Sequence, residues 1–201
     1  MAAYYVDVDV HAALAFDPVV KVNKLYVASL TEPLQVLTPP LELVTPLESD
    51  EPFALLRPMG RFAEFLKTVE ARVLEMCVQH KVEWFRKDVD DDALRTNFKS
   101  FFREDGSFKV KTVDVAVFGA DKGPVGPEEA TAGKTVRCVL ELTRICFGRQ
   151  EFGAMWRLSQ ARVVEIPRCL IEDSDVDEEE EEDGDGGDAE PGGDIEEQEF
   201  L

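Results

Sequence analysis

Thr135-Val-Arg-Cys-Val-Leu-Glu-Leu-Thr-Arg-Ile-Cys-Phe147 is the stretch from which the fold is read. Val136, Cys138, Leu140 and Leu142 alternate with Arg137, Val139, Glu141 and Thr143, the two-residue period of a strand with one buried face. Phe147 to Gly153 reads as a turn. Ala154 to Ile166 reads as a second long strand, with Trp156, Leu158 and Gln160 on one side and Pro167 at its end. Two long strands joined by a short turn make a hairpin, so the domain is built on sheet.

The segments before this hairpin mostly agree. Asp105-Gly106 lies in a turn from Arg103 to Ser107, because glycine supplies the positive φ such a turn needs. Beyond it Phe108, Val110 and Thr112 share one side while Lys109 and Lys111 share the other, and Val113 to Phe118 continues in extended form. Tyr5 to Val10 alternates like a strand, and Val19 to Leu30 is rich in β-branched and aromatic residues. Leu34 to Leu37 and Leu41 to Val44 abut Pro39, Pro40 and Pro46, which predicts edge strands or extended connections.

Only one region has helical period. Phe62, Phe65, Leu66, Val69, Val73, Met76, Cys77 and His80 fall on one face of a helix from about Arg61 to Phe85. The acids at Asp88 to Asp92 offer caps for a short helix from Asp91 to about Lys99. The fold class expected is mainly β: an antiparallel barrel or sandwich with one long and one short helix.

Charge divides the chain differently. Of its 42 acidic residues, 17 lie in 172–201, where there is no Lys or Arg. The first 171 residues hold 25 acids against 22 bases, a net of −3, so the formal charge of −20 is almost entirely the tail's. A segment so acidic and poor in apolar residues cannot offset its ordering entropy, which predicts a folded domain over 1–171 and a disordered tail over 172–201. The tip, Glu196-Glu197-Gln198-Glu199-Phe200-Leu201, holds two large apolar side chains out on a charged tether and is the expected partner-binding element.

Catalytic chemistry finds little purchase. The four cysteines have no metal-finger spacing and read as reduced thiols of an intracellular protein. His11 and His80 stand apart, so neither a metal nor another cofactor is expected. Gly133-Lys134-Thr135 imitates the end of a phosphate-binding loop, but Glu128 stands where that motif needs its first glycine. No apolar run is long enough for a membrane helix. The reading is a non-enzymatic protein.

Binding chemistry is better represented. From Lys81 to Arg168 there are 16 bases against 14 acids, so this half escapes the acidity of the whole. Phenylalanines are interleaved with those bases, the composition that holds single-stranded nucleic acid by phosphate neutralisation and base stacking. The candidate contacts are Lys99, Phe102, Arg103, Phe108, Lys109 and Lys111 around one turn. Arg137, Arg144, Arg149, Arg157 and Arg162 join them from the last two strands. The competing reading is that the rings fill the core and the bases are ordinary surface. A tethered polyanion also competes with an incoming phosphate chain, so the tail acts as a switch or as a simple solubility tag.

Glu83-Trp84-Phe85 after a long helix, the strand Val136 to Leu142, and Gly153-x-x-Trp156-x-Leu158-x-Gln160 before a polyacidic tail with an aromatic near its end carry a family resemblance. Over roughly residues 25 to 168 and the tail, the chain resembles the single-stranded DNA-binding proteins of nucleocytoplasmic large DNA viruses. Those are similar to phage single-stranded DNA-binding proteins with an OB-fold and an acidic, aromatic-tipped C-terminus; here the aromatic is penultimate. The resemblance implies an OB-like barrel and binding of single-stranded DNA in viral replication, recombination and repair. It also implies a tail that recruits replication proteins such as the viral DNA polymerase, and residence in the host nucleus or a cytoplasmic virus factory. A homo-oligomer is left open. The alternative is an acidic chaperone or DNA mimic that binds basic proteins through the tail.

Overall fold

The computed structural model describes residues 2–23 and 25–165. The expected tail, with Glu196, Glu197, Glu199, Phe200 and Leu201, lies outside them.

In chain order the elements are β1 (Ala3–Tyr4), α1 (Val10–Ala13), β2 (Val20–Val22), β3 (Leu25–Leu37), β4 (Leu41–Leu43) and β5 (Phe53–Arg57). A helical segment follows: α2 (Gly60–Gln79), α3 (Lys81–Phe85) and α4 (Asp91–Asn97). The chain then returns to sheet as β6 (Phe108–Phe118), β7 (Pro124–Val125), β8 (Thr135–Phe147) and β9 (Phe152–Val163).

Strand pairing closes on itself. β4 pairs with β5, β5 with β6, β6 with β9, β9 with β8, and β8 back with β4. All these pairings are antiparallel except β6 with β9, which is parallel. The result is a five-stranded mixed barrel of the OB type, mainly β as the sequence implies, though not purely antiparallel. β3 continues the line of β4 and lies along β8, while β1 and β2 add to β3. One large core cluster joins the inward residues of the strands to the apolar stripe of α2.

The prolines expected to mark edges do not. β3 lies between β8 and the added strands, and β4 lies between β5 and β8. Pro33 falls in the register shift between Ser29 and Leu34, and Pro39 and Pro40 fall in the break between β3 and β4, so no ladder bond is lost. Thr38 spans that break: its N–H donates to the Cys138 carbonyl (3.0 Å), and its Oγ1 accepts from the Cys138 N–H (2.9 Å).

Other boundaries shift for equally local reasons. Tyr5 to Val10 is not a strand: Tyr5–Asp7 forms a 3-10 turn, and the Asp9 carboxylate accepts from the His11 and Ala12 N–H groups and starts α1. Val19 to Leu30 is cut into β2 and β3 by a turn in which Asn23 adopts φ 55°, a left-handed conformation that Asn tolerates. The long helix breaks at His80, yet its buried face (Phe62, Leu66, Val69, Val73, Met76 and Cys77) is the expected one. Asp90 caps α4 through the Asp92 and Ala93 N–H groups. The turn before β6 is fixed by Asp105, whose Oδ1 accepts from the Ser107 N–H (2.9 Å) and hydroxyl (2.6 Å). These bonds hold its carboxyl below the usual carboxylate range. In β9 the register shift opposite Val139 and Leu140 turns Gln160 outward, away from Trp156 and Leu158.

Most of the interleaved aromatics are core. Phe108 is 0% exposed and packs among Phe101, Phe102 and Trp156, with ring centroids 6.2–6.5 Å apart. Phe101, Phe147, Phe152 and Trp156 are also buried. Phe108→Ala should lower stability by about 3–5 kcal/mol, read as a fall in the urea midpoint at unchanged slope.

Cys77 and Cys138 are buried, and burial pushes both thiols from 9.0 up to about 12. Between those values the unfolded chain releases thiol protons that the folded chain keeps, so folding is favoured below pH 9 and loses ground as pH rises toward 12. Urea titrations at pH 8 and pH 10 should show a loss of roughly 1 kcal/mol per thiol. A Cys77→Ala, Cys138→Ala protein should lack that share of the slope.

Candidate nucleic-acid interface

Alternation along β5, β6, β8 and β9 buries one set of side chains and turns the other outward. The outward set holds Phe53, Leu55 and Arg57 on β5, and Lys109 and Lys111 on β6. Met155 and Arg157 on β9, with Glu141 and Arg144 on β8, complete it. Strand register aligns part of this set in a row: Phe53 beside Lys111, Lys111 beside Arg157, Arg157 beside Glu141, and Glu141 beside Gln35 of β3. At the usual strand spacing this row is about 19 Å long.

Two contacts set its character. Lys109 Nζ lies 3.9 Å from the centroid of the Phe53 ring, which orients the ammonium while its charge stays available. Glu141 accepts from Gln35 Nε2 (3.1 Å) and lies 3.7 Å from Arg157 Nε. On β6, β8 and β9 together the cations are Lys109, Lys111, Arg137, Arg144, Arg157 and Arg162, and the acids are Glu141 and Asp114. Among the described residues only Arg157 of those six forms an ion pair. Like charges placed opposite each other destabilise a sheet. The fold nonetheless sets Lys111 against Arg157 and Arg137 against Arg162, an arrangement that an anionic ligand relieves.

The Arg137–Arg162 pair forms the wall of a groove of about 360 Å³ at the far end of the same face. Phe118 lies opposite Arg162, and Tyr4, Lys122 and Gln160 are among the other lining residues. Tyr4 is 55% exposed, so its ring is available for stacking. Cys146, on β8 beside Arg144, is half-buried; burial raises its thiol, and the charges of Arg144 and Lys111 oppose that rise.

The sequence candidates therefore separate. Lys109, Lys111, Arg144 and Arg157 share the central face, with Arg137 and Arg162 at its end. Phe108 faces inward and cannot meet a base, a correction that follows from its position in the β6 alternation. Phe102 is half-buried and bridges to Phe108. Arg103 is exposed in the turn before β6. Lys99 is drawn to the β8–β9 turn, where its Nζ pairs with Glu151 at 2.9 Å and its N–H donates to the Phe152 carbonyl. Arg149 lies in that same turn, in a second groove. Phe53, Tyr4 and Lys122 were not among the candidates. Phe53 had a legible signal, the alternation Phe53, Leu55, Arg57 after Pro52, whereas nothing local marks Tyr4 or Lys122.

A barrel of OB topology with a cationic, aromatic-bearing outer face defines the class. The chain belongs to a Family of unknown function (DUF5871), whose model matches residues 60–174, from the start of α2 past the end of β9. No curated protein matches it. Among solved structures it is similar to the single-stranded DNA-binding protein from bacteriophage Enc34, at 12% identity and TM-score 0.46 over 80% of this chain and 95% of that one. It is also similar to gp2.5, a single-stranded DNA binding protein encoded by bacteriophage T7, at 15% identity and TM-score 0.46 over 78% and 100%. A third similar structure is the Enc34 protein in complex with ssDNA, at 11% identity and TM-score 0.45 over 77% and 98%.

Proposed function

We propose that the protein binds single-stranded DNA without strong sequence preference, on the outer face of β5, β6, β9 and β8. The observation that carries this reading is the run of cations without described counter-ions, Lys109, Lys111, Arg144, Arg137 and Arg162, interleaved with Phe53, Phe118 and Tyr4. Cations of this kind neutralise phosphates, and the rings stack on any base, each stacked base contributing about 1–3 kcal/mol. A face that reads backbone and π-surface carries no sequence code. The protein acts as a non-enzymatic coat for exposed strands in viral genome replication, recombination and repair, in the host nucleus or a cytoplasmic virus factory.

The acidic tail competes with DNA for this face and recruits replication proteins, such as the viral polymerase, when DNA displaces it. Its 17 acids, with no Lys or Arg among them, exceed in number the six cations that β6, β8 and β9 carry, which supports that role. The DNA-mimic reading also draws on the tail but leaves the cationic face unexplained.

Filter-binding titrations with oligo(dT) test the face. Lys109→Ala with Lys111→Ala should weaken binding and make the slope of log affinity against log salt shallower by about 1.4, two phosphates at roughly 0.7 each. Glu141→Gln removes an acid from the row and should tighten binding. Unchanged affinity in both proteins would show that the strand lies elsewhere. Removal of residues 172–201 should raise affinity most at low salt; a truncated protein that binds no tighter than the full chain would rule out competition by the tail.

A further inference from the structure

A second groove, of about 420 Å³, lies at the β8–β9 turn on the other side of the ribbon from the cationic face. Its floor is aromatic. Phe147 and Phe152 end the β8–β9 register with rings stacked at 6.1 Å and 18°, and Phe85 meets both edge-on at 5.2 and 5.1 Å. Trp84 meets Phe147 at 5.9 Å. Tyr26, opposite Phe147 in the β3–β8 register, stands at the edge and is 45% exposed.

The rim is cationic. Arg86, Lys87 and Arg149 are exposed, and none forms an ion pair with a described residue. Arg86 holds φ 59° at the end of α3, a left-handed conformation uncommon for a residue other than glycine. The rim's one acid, Glu151, is engaged by Lys99. Asn97 and Gln150 add amide groups able both to donate and to accept. The floor rings are closely packed, with Trp84, Phe147 and Phe152 only 4–7% exposed. A base would therefore lie over the edges of Phe85 and Tyr26, with amides beside it and the cations at the mouth on its phosphate.

We propose that this groove is a second nucleotide subsite, entered by a strand that leaves the outer face across the β8–β9 turn. The inference rests on the outer-face reading and deepens it. The tip is short, only Gly148 to Glu151, and it is tight: a Cβ on Gly148 would lie 2.8 Å from the Glu151 carbonyl oxygen. From Arg157 to Phe152 the strand covers about 17 Å. An oligonucleotide near the lower limit of about 4 nucleotides for such folds fills the outer row alone, and one near the upper limit of about 16 reaches both.

Trp84 lines the groove and is one of two tryptophans in the chain; the other, Trp156, is sealed in the core. The Trp156 indole N–H has no described hydrogen-bond partner, so Trp156→Phe removes its signal at the cost of a cavity but of no hydrogen bond, and retained dT4 binding checks that the outer face is intact. In that full-length protein, dT16 should change Trp84 fluorescence, and dT4 should bind (followed by anisotropy of a labelled oligonucleotide) without doing so. Arg86→Glu with Lys87→Glu should weaken dT16 binding about tenfold, the loss of one stacked base with its phosphate contact, and leave dT4 binding unchanged. Equal losses at both lengths, or no loss at either, would overturn the subsite. A fluorescence change caused by a 190–201 peptide but not by dT16 would make the groove a peptide pocket and overturn it as well. Absence of binding at both lengths would instead remove the outer-face reading on which the subsite depends.

Discussion

The parallel pairing of β6 with β9 is the constraint on which the rest hangs. It turns two antiparallel ribbons, β4–β5–β6 and β8–β9, into a closed barrel, and it alone brings Lys111 beside Arg157. Val110 opposite Trp156 and Thr112 opposite Leu158 anchor that register from inside. A slip of one residue would turn Lys109 and Lys111 inward, where unpaired charge is prohibitive, and Phe108 and Val110 outward. The buried face thus fixes the exposed one. The Phe101–Phe108–Trp156 cluster supports function by holding the lysines in place rather than by touching a ligand.

Closure also explains where the helices go. The chain leaves β5 at Arg57 and returns at Phe108, and between them α2 lays its apolar stripe into the common core. Glu70 of α2 ties the return segment down, accepting from the Phe101 N–H (2.6 Å) and from the Ser100 hydroxyl (3.0 Å). The sheet can therefore present a cationic face because its opposite face is paired with a helix and needs no further partner. The electrostatic cost of adjacent like charges is modest beside about 1.5–3 kcal/mol for each large buried side chain.

Much of the architecture is legible in the amino-acid order because it follows from periodicity. The alternation of Val136 to Leu142 and the stripe from Phe62 to Cys77 each specify a buried face, and each is buried as read. What fails is set by single groups: Asp9 capping a turn in a strand-like run, Asn23 turning left-handed, a register shift that moves Gln160 outward. The site was legible in its cations and misleading in its rings. Lys109, Lys111 and Arg157 stand opposite obvious core residues, so their exposure follows from the pattern. Phe108 shares that pattern and belongs inside. Phe53 meets Lys109 only through β5–β6 pairing, and the sequence does not announce which strands pair across the 50 residues between them.

Photo-crosslinking of the full-length protein to oligo(dT), with the attached peptides mapped by mass spectrometry, tests the central claim most directly. The account predicts adducts within β5 at Phe53, β6 at Lys109–Lys111 and β9 at Met155–Arg157. Adducts confined to α1, to the outward side of α2 or to the loop between β7 and β8, with none on those strands, would contradict it.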